Sequence, residues 1–178
     1  MQSLTVQRIK RVQKVIPKLE ERLKVKISIN GRRLTIRGKE LDRFIAEKIF
    51  RATDFGFDPD DAMLLANDDY TFEIINIKDH TRRKNLVDVR ARVIGTEGKA
   101  KRTIELLTGA VLFVRVNEVG IIVDSAHLDA VTTGLTSLIQ GAKHGNVFAY
   151  LEKQGSIIRR SKDDDLGLRE EFANEEEI

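Results

Sequence analysis

The sequence predicts an α+β fold made of two similar halves that follow one another along the chain. In each half, apolar residues alternate with period two on both sides of a short turn, as they do in a β-hairpin. They then recur at intervals of three and four, as they do in an amphipathic helix. The second hairpin follows the first at an offset of roughly 85 residues. This repetition indicates a tandem duplication of one α+β unit.

The first half, residues 1–53, is predicted to contain helix, strand, strand and helix after a minimal opening strand. That strand is at best the few residues around Leu4–Val6, and apolar spacing predicts a helix over residues 6–23. Pro17 either kinks this helix or begins a second one, since proline is tolerated in a first turn. Asn30-Gly31 between two alternating runs is a strong hairpin signal, and helical spacing then returns.

Residues 54–69 are predicted to form a structured connector between the halves. Asp58 precedes Pro59, so we expect a short helix with Asp58 as its cap. Four large apolar side chains near this segment need an apolar surface to pack on, and we therefore expect the two halves to pack as one body. These side chains are Phe55, Phe57, Leu64 and Leu65.

The second half, residues 70–153, is predicted to run β-α-α-β-β-α, with a Gly-x-x-Gly turn between its first two helices. The strands are expected at 72–77, 111–116 and 119–123, and the closing helix between Leu128 and Gly141. The first half has no Gly-x-x-Gly and is interpreted as a degenerate copy.

Gly95 and Gly98 form a turn that is suited to binding a phosphate. Glycine adopts positive φ at little cost and lets another backbone approach closely. The helix that follows begins with unpaired N–H groups and the positive end of its dipole, so an anion is favoured there. An isolated Gly-x-x-Gly is a weak signal, because on its own it more often only joins two helices.

Positive charge is concentrated around this turn. The net charge is +3, but residues 162–178 carry eight acids and two cations, so that segment is at −6 and the rest of the chain at +9. Residues 78–102 carry nine cations and three acids. The run Arg82–Lys84 alone can be a solvated face. Its coincidence with a phosphate-ready turn favours polyanion binding.

Composition argues against several other classes of protein. The chain has no cysteine, which excludes disulfides and thiolate metal sites, and its three histidines are too scattered to indicate a metal centre. No apolar run approaches a membrane span, and the N-terminus lacks a signal-peptide core. We therefore expect a soluble, cytoplasmic protein without metal or cofactor.

The β-α-α-β-β-α order around Gly95–Gly98 resembles a type I KH domain, a module that binds single-stranded RNA. Longer stretches are similar to the archaeal branch of the partner-of-Nob-one family of small-subunit ribosome assembly factors. These stretches are Phe55–Ala62, Arg92–Glu105 and Gly141–Phe148. The resemblance spans the chain from about Thr5 to Lys153. Family members often keep a second Gly-x-x-Gly in the first unit, which this chain lacks.

The resemblance implies binding of small-subunit pre-rRNA near its 3′ end, with a ribosome-assembly endonuclease or a translation initiation factor as a protein partner. A KH turn clamps the backbone of roughly four nucleotides, and apolar positions beside it support the bases. Aromatic content is 6%, so base stacking should be minor. The predicted RNA-binding residues are Arg90, Arg92, Ile94, Gly95, Thr96, Glu97, Gly98, Lys99, Lys101, Arg102, Leu112 and Val114.

Two other functions compete with RNA binding. An enzyme is disfavoured because no Walker-type Gly-Lys-Ser/Thr occurs and the carboxylates are not grouped as a two-metal site requires. His144 is expected to be structural, since no carboxylate or nucleophile is paired with it in the sequence. A protein-interaction scaffold with little RNA affinity of its own remains the alternative.

Residues 154–178 are predicted to form an acidic, disordered tail, because like charges repel one another and leave little to bury. Such a tail would compete weakly with RNA for the basic body. Deleting residues 162–178 should therefore raise RNA affinity at low salt and change it little at high salt, where screening is strong. Fluorescence anisotropy at both salt concentrations measures this effect, and an unchanged affinity at low salt would contradict it.

Overall fold

The computed structural model describes the backbone of residues 2–173 and the side chains of residues 3–161. These residues form two compact units. The first, called here the sheet unit, takes in the chain up to Asn76 together with Val111–Ser125. The second, the helical unit, takes in Ile77–Ala110 and the chain from Ala126 onward. The mixed helix and strand content that the sequence predicts is confirmed.

The first sheet of the sheet unit contains three antiparallel strands in the order β1-β3-β2. They are β1 (Gln2–Thr5), β2 (Lys26–Asn30) and β3 (Arg33–Arg37). Asn30 pairs with Arg33, which leaves the two-residue loop Gly31-Arg32 with Gly31 at φ +60°. A positive φ is what the favoured two-residue hairpin turns require, so the predicted hairpin is confirmed.

Two helices pack on this sheet, α1 (Ile9–Leu23) and α2 (Glu40–Phe55). Pro17 lies inside α1, so of the two possibilities the structure shows one helix. The start of α1 lacks a side-chain cap of its own. Instead, Asp54 Oδ1 accepts the N–H groups of Gln7 and Arg8 at 2.7 and 2.6 Å, which ties the entry of α1 to the end of α2.

The connector contains α3 (Pro59–Ala62) and a 3₁₀ turn, Met63–Ala66. The expected helix is present, but the expected side-chain cap is not, because Asp58 makes no capping hydrogen bond. Its carboxylate lies 3.8 Å from Arg11 Nη1 instead, while its carbonyl accepts the N–H of Ala62. The backbone of Asp58 thus begins the helix, while its exposed carboxylate faces solvent and Arg11.

The second sheet also belongs to the sheet unit and has the order β4-β6-β5. Its strands are β4 (Tyr70–Asn76), β5 (Val111–Arg115) and β6 (Glu118–Asp124). In both sheets the third strand lies between the first and the second. The interpretation of the chain as two tandem KH units remains a prediction.

Four phenylalanines join the connector to the second sheet. Phe55 and Phe57 contact Phe72 of β4 and Phe113 of β5, with ring centroids 5.8 to 6.1 Å apart. Gly120 of β6 makes room for them, since a Cβ there would lie 2.6 Å from the Phe55 ring. Phe55 and Phe57 thus pack on the second sheet, while packing of the two halves as one body remains a prediction.

The helical unit contains α4 (Leu86–Ile94), α5 (Lys99–Thr108), α6 (Leu128–Gln140) and α7 (His144–Ala173). α7 packs against α5 and α6. Val147 and Leu151 are buried, and Gly134 of α6 lets α7 approach closely, because a Cβ there would lie 3.1 Å from Leu151. No helix in the described part of the chain is long and apolar enough to cross a membrane.

The predicted disordered tail requires a correction. Residues 154–161 are helical in α7. Gly155 is buried against α5, since a Cβ on it would lie 3.4 Å from the Leu107 carbonyl. Packing on α5 stabilises this segment as a helix, although its composition alone would not. The side chains of the acidic residues 163–165, 170 and 171 and all of residues 175–177 lie outside the described residues.

Candidate nucleic-acid interface

The Gly-x-x-Gly turn has the backbone that its sequence predicts. α4 ends at Gly95, whose N–H donates to the Ala91 carbonyl at 2.7 Å. A 3₁₀ turn, Thr96–Gly98, then leads directly into α5. Gly95 and Gly98 have φ of +74° and +75°, a region that residues with a Cβ rarely adopt. Both glycines are therefore needed for this path of the chain.

Gly95 is also needed for space. A Cβ on it would lie 2.6 Å from both the backbone N and the Cβ of Ala100, which is buried in the first turn of α5. Gly98 differs, because its Cβ would have no neighbour closer than 3.7 Å, the distance to the Arg102 guanidinium. The end of α4 and the start of α5 thus meet at Gly95 with no room for a side chain.

Thr96 and Glu97 are exposed, as predicted for the tip of the turn. Glu97 has φ +53°, a left-handed conformation that costs a residue with a Cβ roughly 1–2 kcal/mol. Arg102 Nη2 donates to the Glu97 carbonyl at 2.5 Å and so stabilises this conformation. Arg102 therefore holds the turn in shape besides contributing positive charge to it.

The predicted cations divide into exposed and internally bonded ones. Lys99 is 73% exposed and lies 3.7 Å from Glu97 Oε2, a surface ion pair of little strength. Lys101 Nζ instead bonds Glu105 Oε1 at 2.8 Å in a half-buried pair. Arg92 donates to the carbonyls of Leu138 and Ala142, joining α4 to the end of α6. Half-buried Arg90 also has a partner within the protein.

The three apolar residues predicted to bind RNA lie in different units of the structure. Ile94 is half-buried at the end of α4, whereas Leu112 and Val114 lie in β5 of the sheet unit. Leu112 is 2% exposed and therefore belongs to the core, while Val114 is half-buried. The structure thus leaves Ile94 as the predicted apolar residue that adjoins the turn directly.

A recess of about 240 Å³ opens beside the turn, within the helical unit. Its lining consists of Gly95, Thr96, Lys99, Ala100, Thr103, His144 and Phe148. The His144 and Phe148 rings are 5.9 Å apart. His144 Nε2 lies 2.8 Å from the Arg92 carbonyl, and since a carbonyl only accepts, Nε2 carries the proton. His144 fixes the backbone of α4 just before the turn, as expected of a structural histidine.

Comparison with known proteins places this turn in a family. A family model described as a eukaryotic-type KH domain of type I matches residues 71–156. A KH domain-containing protein of Methanocaldococcus jannaschii is 34% identical over 151 residues, which cover 81% of this chain and 66% of that protein. The pre-rRNA-processing protein PNO1 of Saccharomyces cerevisiae is 27% identical over 158 residues, covering 82% and 57%. The chain belongs to the archaeal PNO1-like KH proteins. It spans two thirds or less of the length of these relatives.

Solved structures share the PNO1-like fold. Dim2p from Pyrococcus horikoshii has a TM-score of 0.74 at 29% identity, covering 85% of this chain and 98% of that one. A complex of a/eIF2alpha, aDim2p and rRNA from the same organism matches with a TM-score of 0.75 at 27% identity, covering 87% and 93%. A protein of unknown function from Aeropyrum pernix has a TM-score of 0.84 at 23% identity, covering 94% and 97%, which shows the fold alone.

Sequence reasoning missed two residues beside the turn of this PNO1-like KH domain. Phe148 enters the sequence analysis only as the end of a stretch that resembles the family, because no helix is predicted around it. Thr103 was passed over, although it lies one helical turn after Lys99 and its hydroxyl donates to the Lys99 carbonyl at 2.9 Å. The i, i+4 spacing from Lys99 is the signal that finds it.

Proposed function

We propose that this chain binds single-stranded RNA and acts in ribosome assembly by holding small-subunit pre-rRNA near its 3′ end. The Gly95–Gly98 turn carries this proposal, since its two glycines are required by φ and its exposed tip is followed by the exposed cations Lys99 and Arg102. The names of the PNO1 relatives, which are pre-rRNA-processing proteins, and the rRNA in the Dim2p complex support it.

The cations and the dipole of α5 do most of the binding at the turn. The N–H of Gly98 donates to the Gly95 carbonyl, and that of Lys99 to the Thr96 carbonyl, so neither is available to a phosphate. A phosphate at the start of α5 is then attracted by the positive end of this ten-residue helix and by the Lys99 ammonium. The adjoining recess, with Phe148 on one side, accommodates an apolar edge of a neighbouring nucleotide.

The domain plan belongs to this proposal. Residues 70–153 form the KH domain, residues 54–69 the connector, and residues 1–53 a degenerate unit whose missing Gly-x-x-Gly deprives it of the same phosphate site. The protein acts as a binding factor without chemistry of its own. The proposed protein partner is a translation initiation factor of the eIF2alpha type, because the similar Dim2p structure contains one.

Fluorescence anisotropy tests this function. A labelled single-stranded oligomer with the 3′-end sequence of the small-subunit rRNA is expected to bind, and to bind more tightly than a scrambled oligomer of the same composition. Equal binding of both oligomers would contradict the 3′-end assignment. A failure of every RNA to bind would favour the scaffold alternative, and magnesium-dependent cleavage of the oligomer would favour an enzyme.

Replacing Lys99 by Ala should weaken binding of every RNA sequence by about three- to fivefold at low salt, since one phosphate contact is lost. The slope of log affinity against log salt should fall by about 0.7, the value for one contact on a single strand. Lys101→Ala is the matched control, because it removes the same charge only two residues further along the helix. The Lys101 ammonium is already paired with Glu105, so it is not expected to contact a phosphate. An equal loss in both variants would mean that general charge matters and the Lys99 contact does not.

A further inference from the structure

A second basic recess lies at the other end of α4, outside the Gly-x-x-Gly turn. It measures about 490 Å³ and is lined by His80, Thr81, Arg82, Arg83 and Gln140. All five residues belong to the helical unit. The three from Thr81 to Arg83 precede the first residue of α4, and Gln140 is the last residue of α6.

The cations of this recess are not used by the protein itself. Arg82, Arg83 and neighbouring Lys84 are exposed, and their side chains have no ion pair or hydrogen bond with any residue in the described part of the chain. Asp79 is the acid next to the recess. Asp88, which accepts from Asn85 Nδ2 at 2.9 Å, is the next acid along the chain, so the three cations outnumber the two acids near them. The local excess of unpaired positive charge therefore faces solvent and attracts anions.

The recess is anchored rather than loose. It follows a 3₁₀ turn, Ile77–His80, in which Ile77 is fully buried and which packs against α4 and α6. Within the loop, the Arg83 N–H donates to Thr81 Oγ1 at 3.2 Å. Because its base is fixed in this way, the loop gives up less conformational freedom when it binds a ligand.

Arg83 is free for a ligand although it lies beside the end of α6. Its Nη2 is 3.6 Å from the position that a Cβ on Gly141 would take. A cation there can cap the last carbonyls of a helix. Two of those carbonyls are already occupied, because Arg92 donates to Leu138 and the Gly141 and Ala142 N–H groups donate to Ser137. The Arg83 guanidinium thus keeps its donors for an outside acceptor.

We infer that this recess is a second site for the phosphate backbone of RNA, which holds RNA that continues beyond the nucleotides at the Gly95–Gly98 turn. The inference rests on the proposed RNA-binding function. α4 has nine residues, so the recess and the turn are about 14 Å apart along the helix. RNA of roughly four nucleotides fills the turn alone, whereas a longer strand reaches both sites. Guanidinium forks suit phosphate oxygens because they can donate two parallel hydrogen bonds.

The test compares the double variant Arg82→Ala/Arg83→Ala with Arg159→Ala/Arg160→Ala, which removes the same charge from an exposed pair on α7. Affinity is measured for an RNA of roughly four nucleotides and for one of about 20 nucleotides. The first variant should bind the long RNA on the order of tenfold more weakly at low salt, with a salt slope lower by about 1.4. Its affinity for the short RNA and the α7 variant's affinity for both RNAs should change less than twofold.

Other outcomes overturn the inference. An unchanged affinity for long RNA would exclude the recess as an RNA site. Equal losses of affinity for short and long RNA, or equal losses in the two double variants, would mean that the recess contributes only to the overall positive charge. If only the Gly95–Gly98 turn variants lose binding, the proposed function stands and this inference fails. If the unmodified protein binds neither RNA, both fail. If the alanine variant has a lowered melting temperature, the same RNA affinities are measured on Arg82→Gln/Arg83→Gln.

Discussion

Replacing Thr96 and Glu97 together by Asp should lower RNA affinity at least tenfold while the melting temperature changes by no more than about 2 °C. Both side chains are exposed at the tip of the turn, so the fold loses no buried contact. Asp at 96 adds a negative charge beside Lys99, which repels a phosphate at the start of α5. Glu97 has φ +53°, which Asp tolerates better than Glu does.

The matched control is Thr96→Asn with Glu97→Asp, which keeps one negative charge at position 97 and adds none at position 96. Asn has the shape of Asp, accepts the same local N–H groups and tolerates positive φ, but it carries no charge. We expect this control to bind RNA within about threefold of the unmodified protein, because it has nearly the shape of the Asp variant but the net charge of the unmodified protein. Affinity and melting temperature are measured on both variants. Full RNA affinity in a folded Asp variant would mean that the Gly95–Gly98 turn is not the binding site.

Two simpler variants of the turn give ambiguous results. Gly95→Asp places a Cβ 2.6 Å from the backbone of Ala100 and demands a φ of +74°, so lost binding would not be distinguished from a lost turn. Arg102→Ala removes a positive charge and also the hydrogen bond to the Glu97 carbonyl. The variants at Thr96 and Glu97 avoid both problems.

Local patterns in the sequence were sufficient for most of the secondary structure and for the turn. Gly31 locates the first hairpin because the first position of its two-residue turn has φ +60°, a conformation that few other residues accept. Gly95 and Gly98 are predictable for the same reason. The extension of α7 was not predicted, because Gly155 and the acids that follow disfavour a helix in isolation. Its stability comes from contacts with α5 and α6, which are distant in sequence.

The roles of the individual cations could not be predicted from charge alone. Arg92 looks like a phosphate contact in the sequence, yet its partners Leu138 and Ala142 are 46 and 50 residues away and become visible only in the fold. The pairing of Lys101 with Glu105 was within reach, since a spacing of four residues on a helix favours an ion pair. Charge patterns thus identify the basic region, while packing decides which cations remain free.

Replacing Phe57 by Ala should destabilise the protein by about 3–5 kcal/mol, which is the usual cost of removing a buried phenylalanine. Phe57 is 1% exposed, and its ring lies 5.8 to 6.1 Å from those of Phe55, Phe72 and Phe113. For a chain of this size the melting temperature should fall by about 10 °C. Differential scanning calorimetry measures the change.

The matched control for this variant is Phe44→Ala. Phe44 lies on α2 and is 56% exposed, with Lys48 Nζ 5.4 Å from its ring centroid, so its loss should change the melting temperature by no more than about 2 °C. Because Phe55 and Phe57 connect α2 and the connector to the second sheet, the unmodified protein and both variants should each melt in a single transition. Two separated transitions in the unmodified protein, or equal effects of the two substitutions, would show that the phenylalanine cluster does not couple the halves of the chain.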